Sequence, residues 1–351
     1  MYQRFQMISI IRMDVRFMDN KKLYFRSVLS TYMRSYMRER IICGVKNLKR
    51  DYRMLHQFDD HLVRVNCSNP HITEDIWSDW FSSFPDATAT TMHEKRSTAA
   101  RFARYLCEIG IECVIPRVPK MPPSGYIPHV FTHEEIRILF ERSNTLSLMN
   151  TFPKSPLISF PAIIRVLYST GIRIGEAIGL LNADVNLDNH HIIVRQTKNN
   201  HQRIAPINES LEKVLRQYLS YRNLIIRDDI DSPDSPFFVT STGDKIKPRS
   251  LSDWFSKLLD LSGICRDNLN TGYGIHTLRH TACVHSMMKL HSEGMDMYAY
   301  LPAISKFMGH LHISDTERYL RQTVEMYPEL ASIDKEISKN IIKPIVESDE
   351  K

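Results

Sequence analysis

The chain has 351 residues, more than one ordinary domain holds and enough for two. A hydrophobic content of 42% supports packed cores and excludes wholesale disorder. The net charge of +6 suits a polyanionic partner, and it is concentrated at one end: residues 1–53 hold thirteen Lys or Arg against Asp14, Asp19, Glu39 and Asp51.

Residues 1–23 read as a basic leader. They lack the unbroken apolar run and small-residue cleavage site of a signal peptide. No stretch of the chain approaches the ~20 apolar residues that span a bilayer, so no membrane partner is expected. Residues 24–118 read as a helical domain. Tyr52, Leu55, Phe58, Leu62 and Val65 recur at helical spacing, as do Ala99, Phe102, Tyr105 and Leu106. Pro116, Pro119, Pro122, Pro123 and Pro128, with Gly125 among them, cannot continue a helix, and residues 119–130 are read as a linker.

A second domain is expected over residues 131–326. Thr132-His-Glu-Glu135 is a capping-box pattern that opens its first helix. The spacing predicts a mainly helical domain with a three-strand insert at 184–206. Asp188-Asn189 marks one turn and Lys198-Asn199-Asn200 another, and Ile192 and Val194 alternate with His191, Ile193 and Arg195. The fold class is therefore mainly α with a small antiparallel β-sheet, in two domains. The tail, 327–351, is expected to form a short helix with an apolar stripe at Leu330, Ile333, Ile337 and Ile341. The six cysteines show no C-x-x-C spacing. They read as reduced core residues of a cytoplasmic protein, with no structural zinc site.

Three segments carry chemistry. In Tyr168-Ser-Thr-Gly-Ile-Arg-Ile-Gly-Glu-Ala177, Arg173 is expected in the first turn of a helix, near polarised amides, with Glu176 at ion-pair spacing. In His276-Thr-Leu-Arg-His280, the residues His276, Arg279 and His280 share one helix face. His-x-x-x-His could also hold zinc, but no adjacent Glu completes a metalloprotease helix. Phe307-Met-Gly-His310 is followed by Ser314-Asp-Thr-Glu-Arg-Tyr319, where Ser314 and Glu317 form a capping-box pattern ahead of Tyr319. A free tyrosine hydroxyl, with a pKa near ~10, is a poor nucleophile without help.

In this order, the boxes Thr170-Gly-Ile-Arg-Ile-Gly-Glu176, His276-Thr-Leu-Arg-His280 and Met308-Gly-His310, with Tyr319, resemble the tyrosine recombinase (phage integrase) family, Xer-like members included. Gly179-Leu-Leu-Asn-Ala-Asp-Val185 is similar to the family's lead-in to its small sheet. Met308 stands where Leu is commoner. Residues 24–118 resemble the family's helical core-binding domain in size and helicity alone.

The resemblance implies a site-specific DNA recombinase that cuts and rejoins strands through a 3′-phosphotyrosyl intermediate on Tyr319. Arg173 and Arg279 would clamp the phosphate, which paired guanidiniums do better than Lys. His310 would add a hydrogen bond, His276 would accept the tyrosine proton, and Glu176 would orient Arg173. Lys198 would act as acid toward the leaving oxygen, with Lys213 a competing candidate nearby. No ATP-binding loop is present, and neither a cofactor nor a metal is expected. The implied partners are double-stranded DNA, three further copies of the chain on paired sites, and an accessory DNA-bending or directionality factor. The implied location is cytoplasmic, at the nucleoid, and the tail would be exchanged between protomers or packed within its own. Two rival readings are a type IB topoisomerase-like relaxing enzyme and a non-catalytic DNA-binding regulator on the same fold.

Overall fold

In a computed structural model, the chain is described over residues 23–45, 48–121, 129–148, 154–195, 202–264, 272–310 and 312–317. It divides into two compact units, Met1–Ser124 and Gly125–Lys351.

The first unit is built from α1 (Ser30–Ile42), α2 (Leu48–Arg64), α3 (Glu74–Ser82) and α4 (Ala89–Glu108). The helical spacing read in the sequence marks its core: Leu55, Phe58 and Leu62 of α2 and Phe102 and Leu106 of α4 are buried with Trp77 and Trp80. Val65 departs from that reading. It lies past the end of α2 and is exposed, because the helix stops at Arg64. Asp51 is fully buried and is held by Arg40 at 2.6 Å and Arg101 at 3.1 Å. Such a carboxylate is tolerated because two guanidinium charges flank it and Arg101 also donates a hydrogen bond to its Oδ1.

The second unit opens with α5 (His133–Leu148), whose capping box is formed reciprocally. The Thr132 N–H donates to Glu135 Oε2 at 2.7 Å, and the Glu135 N–H donates to Thr132 Oγ1 at 3.1 Å. Then come α6 (Phe160–Thr170), α7 (Ile174–Ala177), and an antiparallel sheet of β1 (Val185–Asn186), β2 (His191–Val194) and β3 (Arg203–Pro206) in that order. Ile192 and Val194 face inward along β2, as their alternation predicts. The helices α8 (Glu209–Arg222), α9 (Pro248–Leu261), α10 (Thr277–Ser292) and α11 (Met297–Met308) follow, and a last helical turn covers 313–317. Leu139, Phe160, Ile164, Leu167, Phe255 and Leu278 belong to one buried cluster. A smaller cluster of Cys283, Met287, Leu301, Ile304 and Met308 joins α10 to α11.

The cysteines differ from the sequence reading. The five described ones are free, but only Cys283 is buried; Cys43 and Cys107 are exposed. Cys43 follows the last turn of α1 and Cys107 sits in the last turn of α4, where the chain turns outward. No helix among the described residues is long and apolar enough to cross a membrane. The expected 327–351 helix lies outside the described residues.

Candidate active site

Three segments far apart in the chain meet at the guanidinium of Arg279. This side chain lies on the first turn of α10 and is 2% exposed. Its Nη1 donates to the carbonyl of Gly171, and its Nη2 donates to the carbonyl of Met308.

Arg173 stands one position earlier than the sequence suggests. It is the N-cap of α7, with extended backbone, rather than a first-turn residue. Its N–H donates to Glu176 Oε2 at 2.9 Å and its Nη1 donates to Glu176 Oε1 at 2.9 Å. Its Nη2 donates to the Gly309 carbonyl at 3.2 Å. Arg173 and Arg279 therefore take consecutive carbonyls, Gly309 and Met308, at the end of α11.

Two glycines permit this close approach. Gly171 ends α6 with φ +60°, and a Cβ there would lie 2.7 Å from Met308 Sδ. Gly309 has φ +66°, and a Cβ there would lie 2.7 Å from Arg203 Cζ. Both positions need the left-handed backbone and the missing side chain together.

His310 follows Gly309 and shares a hydrogen bond of 2.7 Å with Thr316 Oγ1. Residues 313–317 are helical, so Ser314 already lies inside that turn instead of capping it. His276 is the N-cap of α10, and its ring meets His280 edge-on with centroids 4.9 Å apart. Lys198 and Tyr319 lie outside the described residues.

Arg203, at the start of β3, joins the site without having been marked by any motif. Its Nη2 donates to Glu176 Oε2 at 2.7 Å. The signal that could have found it is the strand period. Ala205 is buried and Ile204 exposed, which places Arg203 on the inward face with Ala205.

The electrostatics follow from this crowding of cations. Burial opposes ionisation of Glu176, yet its bonds to Arg203 and to the Arg173 N–H outweigh burial and hold the carboxyl below its usual range. His276 is exposed, although protein atoms crowd around its ring. That crowding, then the charges of Arg279 and Arg173, lower its pKa. Burial, then Arg279 and Arg173, push His310 down to about 4. His280 is pushed down to about 3 by burial and then by His276 and Arg279. Near neutral pH these imidazoles are uncharged, so His276 has a lone pair that can accept a proton, while the guanidiniums remain charged. Among the described residues, no group of three or more His, Cys, Asp or Glu is placed to hold a metal.

Such a pocket can gather an anion's oxygens on fixed guanidiniums beside a neutral base, and it stands on a mainly helical fold with a small antiparallel sheet. That fold is shared with DNA-bound recombinases. XerH site-specific recombinase, in a pre-cleavage complex with its difH substrate, aligns with a TM-score of 0.61 at 16% identity, over 82% of this chain and 80% of that one. The lambda integrase tetramer bound to a Holliday junction aligns with a TM-score of 0.59 at 14% identity, over 84% and 78%. In sequence, the tyrosine recombinase XerC of Thermodesulfovibrio yellowstonii is 28% identical over 254 residues, covering 70% of this chain and 77% of its own. The Phage integrase family model matches residues 129–326, and the chain belongs to that family. It is a tyrosine recombinase, an enzyme of DNA strand exchange.

Proposed function

We propose that this enzyme cleaves and rejoins duplex DNA at a specific site through a covalent 3′-phosphotyrosyl intermediate on Tyr319. The observation that carries the reading is the seating of Arg173 and Arg279 on the consecutive carbonyls of Gly309 and Met308, beside His310 and His276. Guanidiniums fixed in this way need no reorganisation when charge builds on the non-bridging oxygens. The Tyr319 oxygen attacks phosphorus, the bond to the 5′ oxygen breaks, His276 takes the tyrosine proton, and Lys198 protonates the leaving oxygen. His310 adds a hydrogen bond to the phosphate, and Glu176 orients Arg173. The ester keeps the energy of the broken bond, so rejoining by the 5′-hydroxyl needs no ATP. Positive side chains neutralise the transition state in place of metal ions.

The relatives seen on DNA, one of them as a tetramer on a Holliday junction, support double-stranded DNA as substrate and four protomers acting on paired sites. A DNA-bending or directionality factor would select integration or excision. Within this scheme residues 24–118 serve as the core-binding domain, 119–130 as the linker, 131–326 as the catalytic domain and the tail as an exchanged segment. A soluble, nucleoid-associated protein fits that substrate.

The test is a nicked suicide substrate carrying the target site. Wild type should form a covalent protein–DNA adduct in excess chelator, and Tyr319→Phe should form none. No adduct from wild type, or an adduct that survives Tyr319→Phe, would overturn the assignment. Two-site plasmids then separate recombinants from mere relaxation.

A further inference from the structure

Arg203 is a charged member of the pocket with no role in the scheme above. Its side chain is 10% exposed. Its Nη2 holds Glu176 Oε2 at 2.7 Å, the same oxygen that accepts from the Arg173 N–H. Its Cζ, Nη1 and Nε lie against Gly309, where a Cβ would come within 2.7, 2.7 and 2.9 Å of them. Nε and Nη1 are buried and find no acceptor among the described residues. Buried guanidinium N–H groups are costly to leave unpaired, so a third arginine here requires an explanation.

Charge supplies one. Glu176 carries a single negative charge and faces two guanidiniums. Paired with Arg173 alone, it would neutralise that arginine at close range. Shared with Arg203, it orients Arg173 while leaving the pair of arginines a net positive charge. Gly309 gives the second link: its carbonyl accepts from Arg173, its Cα rests on Arg203, and His310 is the next residue.

We propose that Arg203 is a positioning residue of strand cleavage. It divides the Glu176 carboxylate between two arginines so that Arg173 keeps its charge for the phosphate, and it seats the Gly309–His310 turn. The proposal rests on the strand-cleavage reading above.

The test is a single-turnover cleavage series on the suicide substrate, with DNA affinity and thermal melting measured on the same samples. The variants are Arg203→Met, Arg203→Lys, Glu176→Gln and the Arg203→Met/Glu176→Gln double. Arg203→Met should cleave about 100-fold slower while binding DNA within about threefold of wild type. Arg203→Lys keeps the charge and one contact, and should recover about tenfold of that loss. The double variant should be no slower than its slower single, because without the carboxylate there is nothing to divide. Three results would each overturn the proposal: a rate within threefold for Arg203→Met, a loss of affinity that accounts for the loss of rate, or single losses that multiply in the double. If Arg203→Met does not fold, Arg203→Lys decides, and an undiminished rate in it refutes the role. A wild type without adduct removes the strand-cleavage reading itself. A wild-type adduct with an unimpaired Arg203→Met removes only this proposal.

Discussion

Glu176→Gln tests whether the pocket is held by charge or by shape. The substitution keeps the side-chain volume but removes the charge and turns one acceptor oxygen into a donor. Glu176 is 4% exposed and receives three N–H bonds, two from Arg173 and one from Arg203, at 2.7–2.9 Å. Gln can still accept on one oxygen, but its amide nitrogen must then face a guanidinium or the Arg173 N–H. Breaking a buried ion pair costs about 3–5 kcal/mol, and the retained acceptor reduces that to about 2–4. In a unit of this size each kcal/mol moves Tm by roughly 2–4 °C, so the melting transition should fall by roughly 5–15 °C. Cleavage should suffer separately, because Arg173 loses one of its three anchors and an amide N–H then faces it in place of a carboxylate oxygen. A misplaced transition-state donor costs about 3–4 kcal/mol, or roughly 10²–10³ in rate. Thermal melting and single-turnover cleavage on a suicide substrate read the two effects. A Tm within about 2 °C of wild type together with a rate within about threefold would refute the reasoning, since either loss lies well outside those bounds.

Gly309→Ala should slow cleavage at least about tenfold with DNA affinity retained, because the left-handed backbone strains Ala by about 1–2 kcal/mol and its Cβ displaces Arg203; unchanged cleavage would show that the contact has no consequence. The depressed imidazoles make stability pH-dependent. His310 and His280 titrate near about 4 and about 3 in the folded state, so the unfolded chain binds more protons once pH falls below the free histidine value of about 6.5. Their contribution is therefore complete above about pH 6.5 and drains away as pH falls toward about 4, which urea melts across that window should show as a falling midpoint; a flat midpoint contradicts it. In the first unit, Asp51→Asn leaves Arg40 and Arg101 around an uncharged group and should cost about 3 kcal/mol. Limited proteolysis should then cut within residues 24–118 before the second unit is touched.

Much of this architecture could be read in the sequence where the signal is local. The Thr132–Glu135 capping box, the Arg173–Glu176 spacing and the alternation along β2 are short-range patterns, and each is realised in contacts within a few residues. What escaped notice depends on distance along the chain. Arg203 meets Glu176 across 27 positions, and no spacing rule marks such a pair, although the strand period could have placed Arg203 inward. The two carbonyl bonds of Arg279 were equally invisible, because backbone acceptors carry no residue identity for a motif to display. Arg173 moved from first turn to N-cap because α7 is only four residues long, and so short a helix has no periodicity by which to fix its start. The cysteine reading failed at Cys43 and Cys107 for a related reason: composition alone does not say which face of a terminal helical turn a residue occupies.

The bonds from Arg279 to the carbonyls of Gly171 and Met308 also bear on how such a chain can diverge. They tie three boxes together at one keystone, and the boxes are separated by long stretches of sequence. Segments between the boxes can lengthen, shorten or change their surfaces without moving the keystone, provided that they return the chain to the same two carbonyls. Within the boxes there is no such latitude, because a residue inserted beside Gly171 or Met308 would rotate its carbonyl away from the guanidinium. A family built in this way would keep a few short words in fixed order and rewrite nearly everything between them. Such words would remain legible after overall identity has fallen to the 14–16% at which XerH and the lambda integrase tetramer align with this chain.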